Sequence, residues 1–308
     1  MSIRDQLSRR QFLKMISVAT SAAILGACAP KASPEIEIPM PPTPTPSPAP
    51  AEEPSKAIIP KMVLVEAGSF QMGSMDGFPD EQPIHSIRIT RPFYIGAYEV
   101  TFEEYDRLCE DTARSKPDDR GWGRGNLPVI HVNWYDVVAY CNWLSEQARL
   151  TPCYSGKGKN TQCDFSADGY RLPIEAEWEY AARGGQRSQG YAYAGSNNPD
   201  EVAWYGDNSD GQTQPVGQKQ PNELDLYDMS GNLFEWCWDW YGADYYASSP
   251  ASDPQGPPAP RTTVPWELTR ARRSGSWREK AKDIRITARS FDSMSYVGDN
   301  GFRLARTA

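Results

Sequence analysis

Tyr170-Arg171-Leu172-Pro173-Ile174-Glu175-Ala176-Glu177-Trp178-Glu179-Tyr180-Ala181-Ala182-Arg183-Gly184-Gly185 is the stretch from which the fold is most readily read. Pro173 suits the first turn of a helix because its missing N–H would have no intrahelical partner there. The residues from Glu175 to Ala182 are good helix formers, and Gly184-Gly185 is a stop. The carboxylates of Glu175, Glu177 and Glu179 read as a solvated first turn. Upstream, Thr101 and Glu104 form a capping box ahead of an apolar face of Phe102, Tyr105, Leu108 and Cys109. A further helix starts near Asn133, with Trp134, Val137, Val138, Cys141 and Leu144 at helical spacing. These aromatic residues are read as core. Val63 and Val65, and Ile87 and Ile89, alternate as early strands around the turn-rich Gly73 to Pro83. Ile284, Ile286 and Ala288 alternate with Arg285, Thr287 and Arg289 as a late strand. Between lie about a hundred residues with little periodicity, the kind of long loop in which sites tend to sit.

Composition agrees with an irregular, aromatic-pinned α+β domain. The chain of 308 residues has 10 Trp and 16 Tyr, with 24 Gly and 27 Pro. No second linker or repeat appears between Lys61 and Arg306, so residues 61–308 read as one domain. The formal charge is -8, which makes nucleic acid an unsuitable partner. Past Cys28 the cysteines are Cys109, Cys141, Cys153, Cys163 and Cys237, an odd number that leaves at least one thiol unpaired. Cys153 and Cys163 flank a short polar loop, compatible with a disulfide or with two free thiols. No CxxC pair occurs and only His85 and His131 are present, so a zinc centre is not supported.

The amino-terminal part carries an address. Ser8-Arg9-Arg10-Gln11-Phe12-Leu13-Lys14 has the order of a twin-arginine export signal, followed by an apolar run from Met15 to Ala27. That run is too short to stay in a bilayer as a spanning helix. Leu25-Gly26-Ala27-Cys28 resembles a lipobox, which predicts cleavage after residue 27 and a lipid on Cys28. Residues 28–60, containing Pro42-Thr43-Pro44-Thr45-Pro46, are expected to be an extended stalk. The expected location is the outer face of the cytoplasmic membrane or elsewhere in the cell envelope, with the membrane contacted through the lipid.

Asp225-Leu226-Tyr227-Asp228-Met229-Ser230-Gly231-Asn232-Leu233-Phe234-Glu235-Trp236 places two carboxylates either side of a glycine turn, hard oxygen donors of the sort calcium prefers. By spacing alone they read rather as two surface carboxylates beside a turn. Several ordered motifs then carry a resemblance. They are Gly68-Ser69-Phe70-Gln71-Met72-Gly73-Ser74, Tyr98-Glu99-Val100-Thr101, Pro128-Val129-Ile130-His131-Val132-Asn133-Trp134, the Tyr170 to Gly185 stretch, the Leu226 to Trp236 stretch, Ser274-Gly275-Ser276-Trp277 and Gly301-Phe302-Arg303. From Met62 to Arg306 the chain resembles the formylglycine-generating enzymes, or sulfatase-modifying factors. The resemblance implies a large variant of the C-type lectin-like fold, α+β with little regular secondary structure. It also implies a structural calcium held by Asp228, the carbonyls of Gly231 and Leu233, and Glu235. Asp225 stands where relatives usually carry glycine. A second calcium in some members would fall near Asn208 to Asp210, where the spacing departs.

The oxygen-dependent enzymes of that family use two cysteines that bind copper and exchange with the substrate thiol. The matching positions here are Glu279 and Ile284, so neither copper nor conversion of cysteine to formylglycine is expected. Related members without the pair act in oxidative maturation of siderophores. One reading is therefore an enzyme of altered chemistry, with Ser276, Trp277 and Glu279 lining a pocket and Glu279 as general base. Against it, Glu279 sits in the charged run Arg278 to Asp283 and reads as a surface carboxylate. The favoured expectation is a calcium-stabilised binding or accessory module whose ligand is a protein, peptide or glycan. Gln220-Pro221-Asn222, superficially like a lectin sugar triplet, is read as a turn.

Overall fold

The computed structural model describes residues 57–260 and 268–308. The expected export signal, the expected lipidation site Cys28 and residues 29–56 of the expected stalk lie outside the described residues.

In chain order the strands and helices are β1 (Met62–Val65), β2 (Gly68–Met72), β3 (His85–Ile89), β4 (Phe93–Gly96), α1 (Phe102–Thr112), α2 (Trp134–Gln147), β5 (Tyr154–Ser155), β6 (Gln162–Cys163), β7 (Tyr170–Arg171), α3 (Glu175–Ala182), α4 (Pro199–Val202), β8 (Phe234–Trp240), β9 (Thr269–Arg273), β10 (Ser290–Ser293), β11 (Asn300–Gly301) and β12 (Ala305–Thr307). One sheet runs β1-β4-β12-β7 and another β10-β9-β8-β11, with β2-β3 and β5-β6 as separate pairs. In the first, Val65 pairs with Phe93 and Thr307 with the same Phe93 from the other side, so the beginning and end of the domain share one sheet. This is the large C-type lectin-like α+β architecture, with long loops outweighing regular elements.

The expected Thr101–Glu104 cap forms, and Asn133 caps α2. Glu104 Oε2 accepts from the Thr101 N–H at 2.8 Å, and Asn133 Oδ1 accepts from the N–H groups of Tyr135 and Asp136 at 3.0 and 3.1 Å. Such caps satisfy N–H groups that no helical turn can reach. The α1 face of Phe102, Tyr105, Leu108 and Cys109 is buried against α2, in a core completed by Val129, Trp236 and Phe302. A second core places Trp178 and Tyr180 of α3 against Ile87, Ile89, Phe93 and Ile95. Among the described residues no helix is long and apolar enough to cross a membrane.

Two expectations fail here. The α3 carboxylates are not solvated: Glu175, Glu177 and Glu179 are all buried. Glu175 is held by Arg289 and Glu179 by Arg273, across 114 and 94 residues of sequence, while Glu177 is gripped by Arg171 at 2.7 Å on each oxygen. Burying a charge without a partner would cost several kcal/mol, and it is these remote arginines that make burial of the helix tolerable. Nor is the 284–289 segment a strand. Ile284, Ile286 and Ala288 are buried as expected, but Arg285 and Arg289 point inward too, to Glu81 and Glu175, and the strand begins only at Ser290.

Candidate functional site: the acidic turn and the face beside it

Asn222 fixes the entrance to the acidic turn. Its Nδ2 donates to the carbonyls of Ala181 and Ala182 at the end of α3, and its Oδ1 accepts from the N–H groups of Leu224 and Leu226. The residue is thus consumed by a turn, in line with the reading of Gln220-Pro221-Asn222. The chain then enters the left-handed region at Asp225, Asp228, Gly231 and Asn232, with φ of 60, 57, 80 and 60°. Asp225 takes a conformation that glycine adopts freely and aspartate tolerates. At Gly231 there is no such latitude, because a Cβ would lie 2.2 Å from the Trp204 carbonyl oxygen. Gly231→Ala is therefore expected to destabilise by about 2 kcal/mol or more through strain and displacement, read as a lowered denaturant midpoint. An unchanged midpoint would show that the turn relaxes freely.

Around this turn three buried carboxylates meet one guanidinium. Arg303 grips Glu235 through Nε and Nη2, both at 2.7 Å, and Trp178 Nε1 donates to the same carboxylate at 2.7 Å. Glu99 accepts from Asn232 Nδ2 at 2.7 Å and from the Leu233 N–H at 3.3 Å. Asp228 Oδ2 accepts from the Gly217 N–H at 2.7 Å, whereas Oδ1 is buried without a partner. Burial pushes the Asp228 carboxyl up to about 6. Burial, reinforced by the charges of Asp228 and Glu235, pushes Glu99 well above the usual carboxylate range.

This arrangement suits a cation. The orphaned Asp228 oxygen needs a positive partner. Glu235 keeps one lone pair on Oε1, where Arg303 is the described donor. Among the described residues no three acidic, His or Cys side chains converge as a metal-binding group, so carbonyl oxygens would have to complete the set. Glu99 escaped sequence reading as part of this cluster, although it sits inside the Tyr98 to Thr101 motif.

The turn is welded to the 274–277 segment. Ser274 Oγ donates to the Gly231 carbonyl at 2.8 Å, Gly231 N–H to the Ser274 carbonyl, and Trp277 N–H to the Asn232 carbonyl. Ser276 is fully buried and its hydroxyl has no partner. Glu279 is anchored by its backbone, which accepts from the Gly206 N–H, but its carboxylate is 30% exposed and lies 3.8 Å from Arg278. Ile284 is buried with Val202, Ala203 and Tyr205. Glu279 thus carries a partly solvated carboxylate, and Ile284 is a core aliphatic residue.

Beside them is a face that sequence reasoning did not assemble. Asp299, buried, is held by Arg120 at 2.8 Å and Arg278 at 2.9 Å, both partly exposed. Trp122 and Trp277 meet edge to face with centroids 5.4 Å apart, and Arg120 lies over the Trp122 ring. Arg120 Nε donates to His131 Nε2, so the His131 Nδ1–H donates to the Asp118 carbonyl. Trp122 and Trp277 are half-buried beside the more exposed arginines, and tryptophan and arginine are the residues that contribute most to protein interfaces.

Comparison with known proteins agrees with this architecture. Residues 47–308 match the model of the sulfatase-modifying factor enzyme 1-like domain. A Paenibacillus barcinonensis protein named chaperone protein LppX is 36% identical over 80% of this chain and 89% of its own length. The formylglycine-generating enzyme of Streptomyces coelicolor is 31% identical over 83% of this chain and 93% of its length. The solved structure of Treponema denticola variable protein 1 superposes with a TM-score of 0.69 at 32% identity, covering 80% of this chain and 95% of the other. The chain belongs to the sulfatase-modifying factor enzyme 1-like family.

Proposed function

We propose that this protein is an accessory module of the cell envelope that holds an exported protein partner and does not generate formylglycine. The observation that carries the reading is the pair Glu279 and Ile284. A carboxylate forms no mixed disulfide with a substrate cysteine, and an isoleucine packed among Val202, Ala203 and Tyr205 ligates no copper. What the face offers instead is Trp122 and Trp277 flanked by Arg120 and Arg278, groups that bind without reacting. Support comes also from the relative that bears the name chaperone protein and matches over nearly its full length. The export signal and lipid on Cys28 would place the module at the outer face of the cytoplasmic membrane, and a calcium ion held by Asp228, Gly231, Leu233 and Glu235 would serve as a structural element.

Two measurements test this. Incubation with copper, oxygen and a Cys-x-Pro-x-Arg peptide is expected to give no aldehyde product, and product formation would overturn the reading. A photo-crosslinking residue at Trp122, in cells making the full chain, is expected to trap discrete envelope proteins. Charge reversal by Arg278→Glu should reduce those adducts several-fold. Adducts that are absent, or indifferent to the reversal, would remove this face as the holding surface.

A further inference from the structure

A second sulfur site lies away from the acidic turn. Cys153 and Cys163 stand at the two sides of the β5–β6 hairpin, where Tyr154 pairs with Cys163 and the Asp164 N–H donates to the Cys153 carbonyl. Both are free thiols, set at neighbouring positions across the hairpin by that pairing. Cys153 is buried, its Sγ 3.3 Å from the Gly169 carbonyl. Cys163 is half-buried and lines a cleft of about 840 Å³ walled by Lys159, Trp238, Trp240 and Tyr245. The neighbouring Cys163 thiol, with the Arg171 charge behind it, holds Cys153 below the usual thiol range. Arg171 is itself held by Glu177 and keeps a buried, unpartnered Nε. By contrast Cys141 and Cys237 are buried and pushed up by desolvation, as inert core thiols are.

We propose that Cys153 and Cys163 form a redox-active dithiol that closes to a disulfide across the hairpin. Cys163, the thiol that reaches the cleft, attacks one sulfur of an external disulfide such as glutathione disulfide, its proton passing to Cys153, which acts as base in its thiolate form. One glutathione leaves as thiolate and takes a proton from solvent. Cys153 then gives up its proton and attacks the Cys163 sulfur of the mixed disulfide, releasing the second glutathione. Two protein thiols are oxidised and one external disulfide is reduced to two thiols, so no metal or oxygen is needed. The geometry favours this because the two residues face one another across a single hairpin, Cys163 on β6 and Cys153 directly before β5. The site is separate from positions 279 and 284 and does not depend on the holding function proposed above.

The purified protein equilibrated in a buffer of reduced and oxidised glutathione tests the proposal. The expected result is loss of two hydrogens from the intact mass, with Cys153 and Cys163 in one linked peptide before reduction and Cys109, Cys141 and Cys237 alkylatable after unfolding. The melting temperature should rise by roughly 5 °C on oxidation and fall back with a reductant, because closing even a short loop restricts the unfolded chain. Cys163→Ser and Cys153→Ser should each abolish the linked peptide and the shift. The wild-type peptide map stands alone if a variant fails to fold. Cys153 and Cys163 both remaining alkylatable, a link that involves Cys141, or a glutathione adduct that persists on Cys163 would each overturn it.

Discussion

Removing calcium at pH 7 should lower the melting temperature by about 10 °C, and the same chelator at pH 5 should do much less. A ligand present at a thousand times its Kd stabilises by about 4 kcal/mol, which corresponds to roughly that shift for a domain of this size. The pH dependence follows from the acids around the turn. Asp228 has its folded pKa raised to about 6 from 3.8, and Glu99 is raised further. A raised carboxylate contributes stability that is present below its unfolded pKa and disappears as the pH climbs through its folded pKa. In the metal-free protein, ionising Asp228 between about pH 4 and pH 7 therefore costs on the order of 3 kcal/mol, and Glu99 adds in the same direction at higher pH. Bound calcium would reverse the sign by giving the ionised Asp228 the partner that its Oδ1 lacks. Melting curves with and without chelator at the two pH values decide the matter. Equal melting temperatures at pH 7, or a larger chelator effect at pH 5, would remove calcium from this turn.

The second large effect is expected at Arg303. It holds Glu235 through two hydrogen bonds and also donates to the carbonyls of Gly96 and Tyr227, with both charged side chains fully buried. Arg303→Met keeps comparable bulk but leaves Glu235 with Trp178 as its described donor and strips two carbonyls of their partner. Breaking a buried pair from one side costs about 3–5 kcal/mol, a large part of the 5–15 kcal/mol by which such domains are stable. The denaturant midpoint should fall accordingly. Adding Glu235→Gln to the same chain should recover part of the loss, because the unpaired charge is then gone. A loss under about 1 kcal/mol in the single variant would mean that water or a cation replaces the guanidinium without penalty.

The local signals were legible wherever both partners lie within one helical turn. Thr101 with Glu104 announces α1 because a cap and its N–H groups are neighbours in sequence, and α2 shows in the helical spacing of Trp134, Val137, Cys141 and Leu144. The α1 face is legible for the same reason. The strands β8 and β9 were not, because Phe234–Trp240 is buried on both sides and Thr269–Arg273 carries three arginines, so neither alternates apolar with polar. The acidic turn was found through its motif, yet its charge balance was not. Glu99, Asp228, Glu235 and Arg303 converge from three separate segments, and spacing along the chain carries no trace of that convergence. Glu279 and Ile284 illustrate the opposite case. What they lack could be read from residue identity alone, whereas the Arg120, Trp122, Arg278 and Asp299 face beside them required the fold.

The arginines that accept the carboxylates of α3 also set a timetable. Glu175 waits for Arg289, and Glu179 for Arg273, nearly a hundred residues or more later in synthesis. Until the final fifth of the chain has been made, the central helix would have to leave its acids in water and its Trp178 and Tyr180 uncovered, so it gains little by docking early. Order in this domain should therefore arrive late and all at once, and a ribosome-bound fragment ending before residue 273 should be as open to protease as an unfolded chain.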